Sequence, residues 1–351
     1  MDLLRGAYYR TVKTLFRLSG TSRSEALVSL LAMIRRIENA VSSGGGQQVY
    51  LGHLSRIFPD MSESERRSIL QSFWKVHQRA MLGLFNCERY LRSYSPTQLR
   101  EGGGLLERVE WRNRDCLDRA LSRGKGVILL APHFGDERTL HILLAMAGYP
   151  VHVISTDYGG APDIVRRARL ETSSRLHHVA LPGDNPRWIF DALGRGEIVQ
   201  ISPTAYGGPK GNWVSTFGVP VLVSSTPFRL MRATGCSLVI GVNHALEGLR
   251  YRLDFSDFLP GADESAAPQA LLDRIVDLGI TIPGQYNWMN LTIRHRESNT
   301  IARTGTIPVE EEELERIAIP EDSSPARIHS IEEIRAALSR LPDNLSQNQK
   351  V

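Results

Sequence analysis

The sequence predicts an α/β fold: a largely parallel central sheet flanked by helices, preceded by a helical N-terminal portion. Three observations carry this. From Gly126 onward, short β-rich runs alternate with stretches of helical periodicity, the pattern of strands joined by helical crossovers rather than of a bundle or a sandwich. One of these runs, "GVILLAP" at Gly126–Pro132, is apolar without interruption, as a strand buried on both faces must be. Over the first 120 residues, by contrast, apolar positions recur at helical spacing.

Taken in order, "RTVKTLFRL" at Arg10–Leu18 is basic and amphipathic. Such a helix packs on a core or lies on a membrane surface, and packing on the core is the favoured reading. The most apolar early run, "EALVSLLAMI" at Glu25–Ile34, is half the roughly 20 residues that a spanning helix needs. No targeting or spanning segment is therefore expected, and the location is read as cytoplasmic with at most peripheral contact at the inner face of the cell membrane. "SSGGGQQ", Ser42–Gln48, reads as a flexible linker. In "SESE", Ser62–Glu65, hydroxyl and carboxylate have the spacing of a capping box, so a long helix should start there. "EGGG", Glu101–Gly104, ends the helical part. Strands are expected at "GVILLAP", "VHVIS", "HVALP", "EIVQIS", "CSLVIGVNHA" and "LRYRLDFSD", and helices at "TLHILLAMAG" and "IVRRARLETSSRL". After Arg296 periodicity is lost, four glutamates follow one another at Glu310–Glu313, and "IEEIRAALSRL" is the last helix candidate. The chain is thus divided into a helical portion packing on the core (1–120), an α/β core (121–298) and an acidic, flexible tail (299–351).

With 351 residues and 42% hydrophobic content, the chain can bury a sizeable core. Residues 301–351 hold 6 Lys/Arg against 10 Asp/Glu, whereas residues 1–300 hold 36 against 28. A basic body suits acidic partners such as phosphorylated donors, acyl carrier protein, anionic lipid or RNA. Cys87, Cys116 and Cys236 lie far apart without ligand spacing, which suggests neither a disulfide framework nor a zinc site. No metal or cofactor is expected.

The stretch "APHFGDERTL" holds the candidate chemistry. The strand stops at Pro132 and delivers His133 into a loop before a helix, the place where open α/β sheets bind ligands. A histidine there suits deprotonation of an acceptor hydroxyl or amine, with a neighbouring carboxylate fixing its tautomer. Asp136 and Glu137 are both at hand. No serine or cysteine sits in a nucleophile-elbow context, and the glycines match neither a dinucleotide fingerprint nor a P-loop. Direct transfer through a general base fits better than a covalent intermediate.

"RIFPDMSESERRSIL", "GKGVILLAPHFGDERTL", "LGRGEIVQIS", "GNWVSTFGVPVLVSSTPFRLMRATGCSLVIG" and "IPGQYNWM", in this order between Leu54 and Arg296, together resemble the lipid A late acyltransferases, the lauroyl/myristoyl transferases. The resemblance implies a lysophospholipid acyltransferase-like fold. It also implies a His–acid dyad, opened by an H-x4-D/E motif, that moves an acyl group from acyl carrier protein or acyl-CoA to a hydroxyl. His133 matches. Five residues on stands Arg138, so the acid must be Glu137 or Asp136, displaced by one and two positions, and Glu137 is favoured. Two further departures are "SPTAYGG" where the family usually has an Asp-Gln pair, and early residues in which the family's usual N-terminal anchor is not expected. Arg138 becomes a candidate for holding a substrate anion. Arg166, Arg167 and Arg169, with Arg175 behind them, are phosphate-binding candidates through their guanidinium forks, and the resemblance points most to Arg169. Asn212, Phe217, Gly218 and Arg229 match a family region near the site. The resulting expectation is a divergent acyltransferase of specialised metabolism acting on a small-molecule or lipid hydroxyl, amine or hydroxylamine. The alternatives are an aminoacyl-tRNA-dependent transferase and a non-catalytic acyl-binding homologue.

Overall fold

The computed structural model describes residues 2–41, 46–93, 104–156, 176–181, 187–204, 211–216, 219–260 and 264–288. Among them are nine strands: β1 (Val109–Arg112), β2 (Val127–Leu130), β3 (Val151–Thr156), β4 (Leu176–Leu181), β5 (Ile198–Ile201), β6 (Gly211–Thr216), β7 (Val219–Ser224), β8 (Ser237–Leu246) and β9 (Arg250–Asp257). The chain forms two compact units. The first comprises Met1–Ile37, Trp74–Pro203 and Thr226–Leu259, and the second Glu38–Phe73, Thr204–Ser225 and Pro260–Val351.

The first unit is built on a seven-stranded sheet of order β1-β9-β8-β2-β5-β3-β4. Every neighbouring pair is parallel except the β8–β9 hairpin. All four residues of β2 are wholly buried, which is why its sequence shows no polar alternation. Helices α5 (Arg114–Ser122) and α6 (Glu137–Met146) bring Leu117, Ala120, Leu140, Leu143 and Leu144 into one cluster with Leu129, Val239 and Phe255 of the sheet. On the other side, α7 (Arg187–Gly194) packs on β5, and α8 (Thr226–Thr234) packs on β2 and β8. The fold is therefore the α/β architecture read from the sequence.

Helices α1 (Asp2–Ser19) and α2 (Ser24–Val41) close a second cluster. Val12, Phe16, Leu27, Val28 and Leu31 pack there on Met81, Leu82 and Phe85 of α4 (Glu63–Ser93). The basic amphipathic segment thus serves the core through Val12 and Phe16. Arg79 of α4 ties this layer together: its guanidinium meets Glu25 at 2.6 Å, and Glu25 also accepts from the amide of Gly248 at 2.9 Å, in the β8–β9 turn.

In the second unit, α3 (Gly46–Ile57) buries Tyr50, Leu54 and Ile57 along one face, with Tyr50 stacked on Phe73 at 5.1 Å. This corrects the end of the linker reading of Ser42–Gln48, since Gly46, Gln47 and Gln48 form the first turn of α3, while residues 42–45 lie outside the described residues. Burial of that apolar face outweighs the poor helix propensity of a terminal glycine. The capping box at the start of α4 is formed: the Ser62 amide donates to Glu65 Oε2 at 2.7 Å, and the Glu65 amide to Ser62 Oγ at 3.3 Å. Helix α9 (Ala267–Thr281) packs on the antiparallel β6–β7 pair, and Trp288 is fully buried between Phe58 and Tyr286.

The helix read at "IVRRARLETSSRL", apart from Leu176, and the tail 299–351 lie outside the described residues. Among those described, no helix is long and apolar enough to cross a membrane.

Candidate active site

The loop between β2 and α6 is shaped residue by residue. Ala131 donates to the Ile201 carbonyl at 2.9 Å, and there the ladder stops, because Pro132 has no amide proton to continue it. The Phe134 amide donates to the Pro132 carbonyl at 2.7 Å, a three-residue turn with His133 at its apex. Phe134 is the residue that goes down into the protein: it is buried and lies edge-on to His244 at 5.0 Å. Gly135 then adopts a φ of +59°, where a side chain is strained. Asp136 caps α6 by accepting from the Thr139 amide at 3.3 Å.

Glu137, the first residue of α6, lies four residues beyond His133, and its Oε1 meets His133 Nδ1 at 3.0 Å. The histidine side chain is 13% exposed and the glutamate 31%. A helix N-terminus favours a carboxylate. Burial of Glu137 works against its charge, but the positive charge and hydrogen bond of His133, then Arg138 and His77, hold its carboxyl below the usual range. A carboxylate accepting from Nδ1–H fixes the tautomer in which Nε2 carries the basic lone pair.

Asp136 has a different environment. It is buried, its Oδ2 has no partner among the described residues, and that oxygen sits where only a glycine lets it: a Cβ on Gly83 of α4 would stand 2.5 Å from it. Burial pushes this carboxyl up to about 7, with the bonds from Thr139 and the charge of Arg138 countering it only in part. An acid with a raised folded pKa holds its proton more tightly folded than unfolded, so stability falls as pH rises from about 4, the ordinary range, to about 7, and is level above that. Asp136→Asn keeps the cap and does not titrate. It is expected to be more stable relative to wild type at pH 8 than at pH 5, by an amount on the order of a few kcal/mol at most; urea unfolding at both pH values checks it, and a constant difference would place the titration elsewhere.

The loop is also pinned to the sheet. Gly135 forms a parallel bridge with Asn243 of β8, and the Asp136 amide donates to the Asn243 carbonyl at 2.8 Å. The wholly buried Asn243 side chain donates to the Asp136 carbonyl at 2.9 Å and to Thr139 Oγ1 at 2.8 Å. Beside it, burial and then the cation of Arg252 hold His244 down at about 4, so it stays neutral.

Of the residues singled out in the sequence, His133, Asp136, Glu137 and Arg138 come together on this loop and first helical turn. Glu137 meets the imidazole, and Asp136 is given to the cap. Arg229 lies on α8 with its side chain exposed, and Asn212 is half-buried on β6, in the second unit. Arg166, Arg167, Arg169, Arg175, Phe217 and Gly218 lie outside the described residues. Sequence reasoning missed Gly83, Thr139 and Asn243. The only available signal for Asn243 was a polar residue inside the apolar run "LVIGVNHAL", and nothing local told which backbone it would bond.

No curated protein matches the chain. Residues 43–292, a span that contains all nine strands and the whole His133–Glu137 loop, match the model of the family described as Bacterial lipid A biosynthesis acyltransferase, and the chain belongs to that family.

Proposed function

We propose that the protein moves an acyl group from a thioester, carried by acyl carrier protein or coenzyme A, to a hydroxyl, amine or hydroxylamine acceptor other than the usual lipid A precursor. His133 is the general base and Glu137 its orienting partner. The single observation that supports this most is the 3.0 Å contact between His133 Nδ1 and Glu137 at the C-terminal end of a buried parallel strand, in a chain of an acyltransferase family. Nε2 takes the acceptor proton as the acceptor oxygen or nitrogen attacks the thioester carbonyl carbon. The tetrahedral intermediate collapses with cleavage of the C–S bond, and the proton on Nε2 passes to the departing thiolate. The divergent acceptor is supported by Arg138 standing where the family has its acid, and by "SPTAYGG" after β5.

The test incubates the purified chain with acyl carrier protein or coenzyme A thioesters of several chain lengths and an extract of small molecules, and follows free thiol and acylated products by mass spectrometry. Thiol release with a new acylated small molecule is the expected result. Transfer only to a lipid A precursor overturns the acceptor assignment, and retention of an acyl chain without turnover overturns the enzymatic one. Transfer that requires aminoacyl-tRNA overturns the donor.

A further inference from the structure

Strand β5 is buried along its whole length, yet a polar residue stands within it and another directly follows it. Gln200 is 8% exposed. Neither its Oε1 nor the buried Oγ of Ser202 has a hydrogen-bond partner among the described residues. The register shows to which side the amide belongs. Gln200 pairs with Leu129 of β2 on one side and Val153 of β3 on the other, and both of these are in the cluster beneath α5 and α6. Register partners share a face of the sheet, so Gln200 stands on the face of α6, the helix that Glu137 opens. Its apolar neighbours offer no hydrogen bond, and a buried acceptor left unpaired is costly.

These two residues mark a place where the chain divides. β2 continues into α6 on one face of the sheet, whereas β5, hydrogen-bonded beside it, leads on to α8 on the other face. Neighbouring strands whose continuations part in this way leave a crevice at their carboxyl ends, where open α/β sheets take their ligands. The ladder between them holds to its rim, since the Ala131 amide still reaches the Ile201 carbonyl at 2.9 Å. His133 and Glu137 thus stand on the β2 side of the crevice, with Ser202 and, below it, Gln200 on the β5 side.

We infer that Gln200 and Ser202 bind the acyl acceptor, and that this acceptor carries a hydrogen-bond donor beyond the one proton that His133 removes: a primary amine, or an alcohol with a second N–H or O–H group. The inference rests on His133 acting as the general base of acyl transfer. An amide oxygen only accepts. A substrate with a single donor hydrogen surrenders it to Nε2 and leaves Gln200 Oε1 buried and unpaired, and a site built to bond a donor discriminates against an analogue that lacks it. The thioester group of the donor does not fill the role, because its carbonyl and sulfur have no hydrogen to give. With a primary amine the count closes. The nitrogen attacks the thioester carbonyl carbon, one of its protons passes through Nε2 to the thiolate released by C–S cleavage, and the other hydrogen stays on what becomes the amide nitrogen, where Gln200 can accept from it.

The experiment supplies the full chain with acyl-CoA thioesters from acetyl to palmitoyl and with three matched acceptors: ethanolamine, ethylene glycol and 2-methoxyethanol. The last keeps one hydroxyl and replaces the second donor by an ether. Thiol release and acylated product are followed for wild type, His133→Ala and Gln200→Met. Methionine keeps the length of the side chain and removes the acceptor, and among apolar neighbours it is expected to fold; should it unfold, Ser202→Ala takes its place with the same readings. Wild type is expected to use ethanolamine and ethylene glycol with kcat/KM about tenfold or more above that for 2-methoxyethanol, and the Gln200 variant to lose most of that preference through a raised KM for the two-donor acceptors. Equal use of the three acceptors, transfer to none of them, a variant that keeps the wild-type preference, or a change confined to the KM of the thioester overturns the inference, and His133-dependent thiol release in any of these cases leaves acyl transfer standing. Absence of His133-dependent thiol release overturns the acyl-transfer reading, and this inference with it.

Discussion

His133→Ala is expected to lower acyl transfer by roughly 10²–10⁴-fold, the range that general-base catalysis contributes. The fall should appear in kcat with KM nearly unchanged, because the imidazole acts on the proton that moves in the transition state rather than on donor binding. The fold should survive. The residue filling the interior at this turn is Phe134, and His133 stands at the apex with its side chain partly exposed. Circular dichroism and the melting temperature separate the two effects. A folded variant that turns over like wild type would remove His133 from the chemistry and leave the loop a structural turn.

Glu137→Gln should lower kcat nearly as far, by roughly 10²-fold or more, because it removes the charge that holds the Nδ1–H tautomer and faces the imidazolium as it forms. The double variant His133→Ala/Glu137→Gln should be little worse than His133→Ala alone, since groups that act as one unit are not additive. Stability gives an independent readout. Glu137's carboxyl is held below its ordinary range in the folded protein, so it contributes stability that is present above that range and lost as pH falls through the lowered value. Glu137→Gln should flatten that acid-side loss, which runs below the ordinary carboxylate range and is opposite in sign to the change that Asp136 imposes between that range and about pH 7. Equal additive losses from the two site variants would mean that the two side chains work separately.

The run "GVILLAP" was legible because a strand covered on both faces has to be apolar throughout, and the helix after it because a cap and a closing glycine bracket it. The order of α6 after β2 then placed His133 at a strand end without any coordinates. Strand β1 was not legible: four residues, "VEWR", are too few to establish a period, and their one partner, β9, lies more than a hundred residues away in sequence. The β6–β7 pair was missed as well. Pro220 sits inside β7, opposite Ser215, and a proline is tolerated there because each strand of a two-stranded sheet has an open edge. Between Asp136 and Glu137 the residues alone offered only proximity to the family spacing. The choice is made by the helix start, since a cap residue turns back toward the first-turn amides while the next residue projects from the helix.

The hold of Asn243 on the loop has a consequence for how such an enzyme diverges. The five residues from His133 to Glu137 run between two strands of the same sheet, leaving from β2 and bridged to β8, so the distance from the His133 imidazole to the Glu137 carboxylate is fixed by a cassette held at both ends to the sheet. Recognition can be rewritten around it while the cassette is inherited whole. Within the cassette, the change a lineage can make cheaply is one of length: a step of one residue decides which carboxylate reaches the imidazole.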